Sequence, residues 1–483
     1  MKKSPSFFPL PLFSFSPLPL FSFSPLLLFS FSPLLLLSLS LLLLAACTPA
    51  QPVEPTAPDA LPSPASTESL PTEIPPTDTL PAPASPTPLP PVTPTPLSPA
   101  TSSALQIAFT NAAADIVLWQ EPDNTLIPLV PASGAVDIRL SDDGTMLAYR
   151  KSIDTGQQEI WAVNTDGTGH RMLLSVDDLR ALDPDALGVT PYQFEWIPGT
   201  HTLAFNTLQY VEGPGLFLYD ELHFLEVDPN EPTNQLTTQL PPGSGGNFVF
   251  SPDGLQYALV KPESISLLNT DGTNIRSDVL TYPYVLTYSE YQYYAEPVWS
   301  PDSTFLRVAI PPQEPLGAPA APTTLWEIPT DGSPAIQTGA VLAQPFFVDP
   351  VRFSPDLSHV AYTRLIDPDD FVNAELVIAN ADGSGEVVYE TGNLFFTGWA
   401  PDSQHFVFEN GAVPETYLGQ TGGDYAPLTD IPYTRDVYWV DDMQFFFIAQ
   451  SGEGWQIRLG AVGEASTVIA DLPGAFPGFD FDK

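Results

Sequence analysis

The sequence predicts an all-β fold over residues 104–483, a ring of four-stranded antiparallel blades, and three observations carry that expectation. A lead aromatic or apolar residue followed by a turn recurs along the region, a second turn containing Asp-Gly recurs between copies, and the two ends of the region carry complementary parts of one further unit. The first signal reads Leu140-Ser141-Asp142-Asp143-Gly144, Trp196-Ile197-Pro198-Gly199, Phe250-Ser251-Pro252-Asp253-Gly254, Trp299-Ser300-Pro301-Asp302-Ser303, Phe353-Ser354-Pro355-Asp356, Trp399-Ala400-Pro401-Asp402-Ser403 and Trp439-Val440-Asp441-Asp442. The lead residues stand 56, 54, 49, 54, 46 and 40 positions apart, a period that belongs to propeller blades.

Each element of the unit follows in order. Strand A ends on the lead residue. The turn after it is held by an aspartate whose carboxylate bonds backbone amides two residues on, the role expected of Asp143, Asp253, Asp302, Asp356, Asp402 and Asp442. Strand B reads as an alternating pattern, as in Met146-Leu147-Ala148-Tyr149 and His359-Val360-Ala361-Tyr362. After a variable loop and strand C comes Asn164-Thr165-Asp166-Gly167, Asn269-Thr270-Asp271-Gly272, Pro329-Thr330-Asp331-Gly332 or Asn380-Ala381-Asp382-Gly383. A glycine accepting positive φ there predicts a tight hairpin into strand D. Residues 105–130 supply strands B, C and D with no strand A before them, while Phe479-Asp480-Phe481 reads as a strand A with nothing after it. Phe481 lies 42 positions beyond Trp439, so the C-terminal strand is expected to complete the N-terminal blade. That gives eight blades; a ring of seven, with one segment misread, is the alternative.

These motifs resemble the TolB-like propeller repeat, in which Ser-Pro-Asp-Gly opens the A–B turn and an Asp-Gly hairpin joins C to D. The resemblance covers roughly residues 104–483 and implies the fold. TolB carries a separate N-terminal domain of mixed helix and strand where this chain has a proline-rich segment, so the resemblance is to the repeat and not to TolB itself. Peptidases built on similar propellers add a hydrolase domain with a Gly-x-Ser-x-Gly elbow, which is missing from this sequence.

Ahead of the blades lie two further segments. Lys2 and Lys3 precede proline-punctuated octad repeats, then a proline-free apolar run from Leu34 to Ala46, then Leu44-Ala45-Ala46-Cys47 with the only cysteine of the chain. The run fits a signal h-region and is shorter than the ~20 residues that span a bilayer. Together these resemble a bacterial lipoprotein signal peptide with its lipobox. That implies cleavage between Ala46 and Cys47, a diacylglyceryl group on the Cys47 thiol and acylation of the new N-terminus. Residues 1–46 are then the signal, and a retained transmembrane anchor is the alternative. Residues 47–103 are the lipidated cysteine and a disordered tether. Thr48 to Ser103 holds 18 of the 58 prolines with abundant Thr, Ser and Ala, too little apolar surface to fold and much polyproline II character. Its reach is on the order of 170 Å at about 3.1 Å per residue.

Composition narrows the partners. The chain carries 57 acidic against 15 basic residues, a formal charge of −42. Such a surface repels phosphate backbones and excludes nucleic acid as a partner. The expected location is extracytoplasmic, on a bacterial membrane at the cell surface or periplasmic face, with the membrane met through the Cys47 lipid.

No cofactor is expected. The histidines form no compact metal set, although His359 and His405 fall at corresponding points of neighbouring blades, three residues after Asp356 and Asp402. The metal-dependent pectate-oligomer lyases with TolB-like propellers use histidines in this way, so the pair is a weak metal candidate. The acidic run Asp367-Pro368-Asp369-Asp370 reads as a solvated loop. In an A-B-C-D blade the A–B and C–D turns share one face, and here they are short. The long B–C and D–A segments, 174–191, 206–220, 276–296, 311–324 and 364–373, share the other face, where recognition residues belong. One of them holds Tyr282, Tyr284, Tyr288, Tyr291, Tyr293 and Tyr294 within 13 positions, a composition suited to sugar or peptide contact or to packing the loop on its blades. The expected function is a non-catalytic binding module for an envelope protein, peptide or glycan. A metal-dependent, lyase-like enzyme acting on polysaccharide and a passive envelope scaffold are the alternatives.

Overall fold

The structure is a computed structural model and describes residues 105–482, apart from 154–156, 185, 187, 211–220, 229–233, 290, 368–369, 371, 414, 433–436, 452–453 and 474–477. The signal, Cys47 and the tether lie outside the described residues.

Eight four-stranded antiparallel sheets form the ring, so the eight-bladed expectation holds and the seven-bladed alternative falls. Blade 1 joins Phe479–Asp482 as strand A to Gln106–Thr110, Ile116–Gln120 and Thr125–Val130. Strand A opens each later blade: Ala135–Leu140, Gly188–Trp196, Asn247–Phe250, Val298–Trp299, Arg352–Phe353, Leu394–Trp399 and Val437–Trp439 for blades 2 to 8. A short helix, Val176–Leu182, stands in the connection from blade 2 to blade 3, its first turn closed by a capping box between Ser175 and Asp178.

Closure follows the register Gln106↔Asp482, Ile107↔Phe481, Ala108↔Asp480 and Phe109↔Phe479. Phe446 of blade 8 stacks edge-on against Phe481 at 4.7 Å and Phe479 at 5.4 Å. On the other side, the Leu140 amide of blade 2 donates to Asp480 Oδ2 at 2.7 Å. The C-terminal strand is thereby held by three blades at once.

The core is not central. It is divided into eight apolar clusters, each lying between two neighbouring blades. In the first strand, Ile107 and Phe109 face blade 8 while Ala108 faces blade 2. A blade packed on both faces needs apolar residues on both, so strands expected to alternate are instead buried continuously: Met146 to Tyr149 and Val360 to Thr363 are all buried.

The lead aromatic residue couples neighbouring blades. Trp196 Nε1 donates to the Arg139 carbonyl at 3.1 Å, Trp299 to Val249 at 2.9 Å and Trp399 to Arg352 at 3.2 Å, in each case one blade back. Trp439 has the same position, yet its buried Nε1 has no partner among the described residues. The preceding strand is bulged between Phe396 and Gly398, at the place where the accepting carbonyl would stand.

Candidate functional site

The two faces of the ring differ in kind. On the short-turn face the repeated aspartates hold their own loops. Ser354 Oγ donates to Asp356 Oδ1 at 2.8 Å and accepts from the His359 amide at 3.0 Å, and the same Oδ1 accepts from the Ser358 amide at 2.9 Å. The arrangement recurs around Asp143, Asp253 and Asp302. In blade 7 Ala400 supplies no hydroxyl, and Asp402 Oδ1 itself accepts from the His405 amide at 2.9 Å. In blade 8 the turn is one residue shorter, Val440 N bonding Gln444 O, and Asp441 rather than Asp442 accepts from the Met443 and Gln444 amides. In blades 2, 4 and 6 the C–D turn is a three-residue loop, as where Gly167 N donates to Asn164 O, Asn164 N to Thr168 O, and Gly167 takes φ +84°.

These bonds set the charge of the turns. Burial raises the Asp143 carboxyl, but bonds from His201, Ser141 and Thr145 outweigh it and hold it well below the ordinary carboxylate range. Asp356 and Asp402 are lowered in the same way against partial burial, and exposed Asp302 by its bonds from Ser300 and Thr304.

The two candidate histidines belong to this face. His405 Nδ1 lies 2.6 Å from Asp402 Oδ2 and His359 Nδ1 lies 2.7 Å from Ser358 Oγ, each bonded within its own turn. Among the described residues no group of three His, Cys, Asp or Glu is arranged to hold a metal ion, and no helix among them is long and apolar enough to cross a membrane.

The opposite face carries the long connections and a set of buried polar residues that sequence reading passed over. Asp137 receives Arg139 and Arg150, the latter reaching on to the Pro191 carbonyl of blade 3. Gln193 and Asn206 of blade 3 bond backbone groups of Phe248 and Gly246 at blade 4. Asp349 accepts from Thr363 Oγ1 at 3.0 Å and from the Phe396 amide of blade 7 at 3.4 Å. Glu221, receiving the Thr207 hydroxyl, lies 3.7 Å from His223. Arg150, Asn206, Thr363 and Glu409 all fall four residues after the first residue of the strand B consensus. The signal was therefore present as polar residues interrupting apolar strands at one repeated position. Arg150, Asn206 and Thr363 serve to join blades.

The tyrosine segment divides. Tyr282 and Tyr293 are buried, donating to the carbonyls of Lys261 at 2.7 Å and Ala309 at 3.3 Å, and burial pushes both phenols up. Tyr294 packs half-buried on the same cluster between blades 4 and 5, and Tyr284 is half-buried. Tyr288, at φ +57°, and Tyr291 remain exposed, by 57% and 36%.

Those two rings are part of a wider patch. Leu286, Tyr288 and Tyr291 stand on the connection from blade 4 to 5, Leu316 in the B–C loop of blade 5, Leu342 and Phe347 between blades 5 and 6, and Ile366 and Val372 in the B–C loop of blade 6, all exposed. The four segments are joined. Leu286 N donates to Gln313 O at 2.9 Å, Tyr293 meets Phe346 at 4.7 Å, and Gln344 N donates to Thr363 O at 2.7 Å. Eight exposed large apolar side chains thus share one sector of the loop-bearing face.

No family profile matches the chain, and no curated protein matches its sequence. Solved structures with a similar course of chain include a eukaryotic initiation factor, 13% identical with TM-score 0.48 over 78% of this chain and 98% of that one. An oligogalacturonate lyase in complex with manganese is 12% identical with TM-score 0.42 over 75% and 98%. TolB from Acinetobacter baumannii is 12% identical with TM-score 0.31 over 62% and 66%.

Proposed function

We propose that this chain is a non-catalytic binding module, held at an extracytoplasmic membrane surface by lipid on Cys47, that recognises an envelope protein through the apolar sector of its loop-bearing face. The exposed patch carries the reading. Single exposed apolar residues are ordinary, but eight of them, Tyr288, Tyr291 and Phe347 included, on connections bonded to one another have the composition of an interface core. Strand B of blade 1 begins at Gln106 on the short-turn face, the face opposite the patch.

The test places a photo-crosslinking residue at position 288 or 347 on one face and at position 255 or 443 on the other, in cells making the full chain. A discrete protein adduct from the first pair alone is the expected result. Adducts from both faces equally, or from neither, would contradict the reading, and adducts to glycan would replace the partner class.

A further inference from the structure

Beside blade 5, where the connections on its two sides meet, lies a recess of about 70 Å³ whose lining includes Tyr293, Glu296, Thr323, Gln344 and Phe346. Gln344 is only 4% exposed, and its Oε1 has no hydrogen-bond partner among the described residues. Tyr293 and Phe346 form an edge-to-face aromatic wall. Glu296 lines the recess and is exposed to solvent, so its carboxylate reaches the recess mouth without burial. A buried acceptor without a donor is costly unless a ligand completes it.

We infer that this recess receives a lysine ammonium of the protein partner, with Glu296 as counter-charge, Gln344 Oε1 as acceptor and the rings of Tyr293 and Phe346 as its walls. The inference rests on the loop-face reading above. The volume admits a few heavy atoms, the end of a side chain and not a sugar ring. An ammonium is compact and offers three donors, matching an acceptor-rich lining, and aromatic faces attract it. The charge of −42 over the chain draws basic partners in.

Saturation-transfer NMR on the detergent-solubilised full chain, with Nα-acetyl-lysine methylamide as probe and its norleucine isostere as control, tests this directly. The expected result is saturation strongest at the lysine ε-methylene, little at norleucine, and a dissociation constant raised at least 10-fold by Glu296→Gln or Gln344→Leu. Glu464→Gln, an exposed carboxylate in a short C–D turn, should leave binding unchanged. Equal binding of norleucine, an equal loss with Glu464→Gln, or no loss with Glu296→Gln would overturn the inference. If Glu296→Gln leaves lysine binding intact while Tyr288→Ser still abolishes partner binding, the pocket assignment fails and the loop-face reading stands.

Discussion

Trp299 and Trp439 occupy equivalent places in blades 5 and 8, and only Trp299 has an acceptor for its indole N–H. Replacing each by phenylalanine removes similar volume but different polar bookkeeping. Trp299→Phe leaves the half-buried Val249 carbonyl without its indole donor and should cost about 1–3 kcal/mol more than Trp439→Phe, which removes an unpaired donor. Urea midpoints of the two variants measure the difference, and equal losses would contradict it. The turn aspartates give a second prediction at this scale. Asp356 is held below its ordinary value of 3.8, so the stability it adds is complete above that value and is lost as pH falls through the lowered one. The gap in melting temperature between wild type and Asp356→Asn should therefore be constant from neutrality to about pH 4 and close in stronger acid. A gap that widened on acidification would reverse the sign of this account. Asp turns were legible in the sequence because a carboxylate capping amides two residues on is local chemistry. The slip from Asp442 to Asp441 was not, because it depends on a turn shortened by one residue, which only the strand register fixes.

At the scale of elements, the closing strand and the tyrosine connection behave differently. Deleting residues 478–483 removes the pairing of Phe479–Asp482 with Gln106–Thr110, the edge-on contacts of Phe446 and the Asp480 bond to Leu140. A cooperative fall in melting temperature is expected, with Phe481→Ala showing a smaller fall, below the roughly 3–5 kcal/mol typical of a fully buried phenylalanine. An unchanged melting curve for the deletion would mean that the ring does not depend on this strand. Closure could be foreseen because the missing strand A and the surplus strand A sat at opposite ends of one periodic sequence. The fate of the tyrosines could not. Tyr293 is buried because Phe346 comes to meet it from the connection between blades 5 and 6, and nothing within residues 282–294 encodes that neighbour. Likewise the strands looked alternating in part because their second buried face belongs to the adjacent blade.

For the whole molecule, the ring separates a face of self-satisfied turns from a face of long connections, and the second is the proposed recognition face. Its central claim is most directly tested by a double substitution, Tyr288→Ser with Tyr291→Ser, read for thermal unfolding and for affinity to the crosslinked partner, beside Tyr293→Ser. Both rings of the double variant are exposed while Tyr293 is buried. The double variant should keep its melting temperature and weaken binding by about 30-fold or more, equivalent to ~2 kcal/mol, whereas Tyr293→Ser should lower the melting temperature. Undiminished binding by the double variant, or a melting temperature that falls with it as far as with Tyr293→Ser, would contradict the claim.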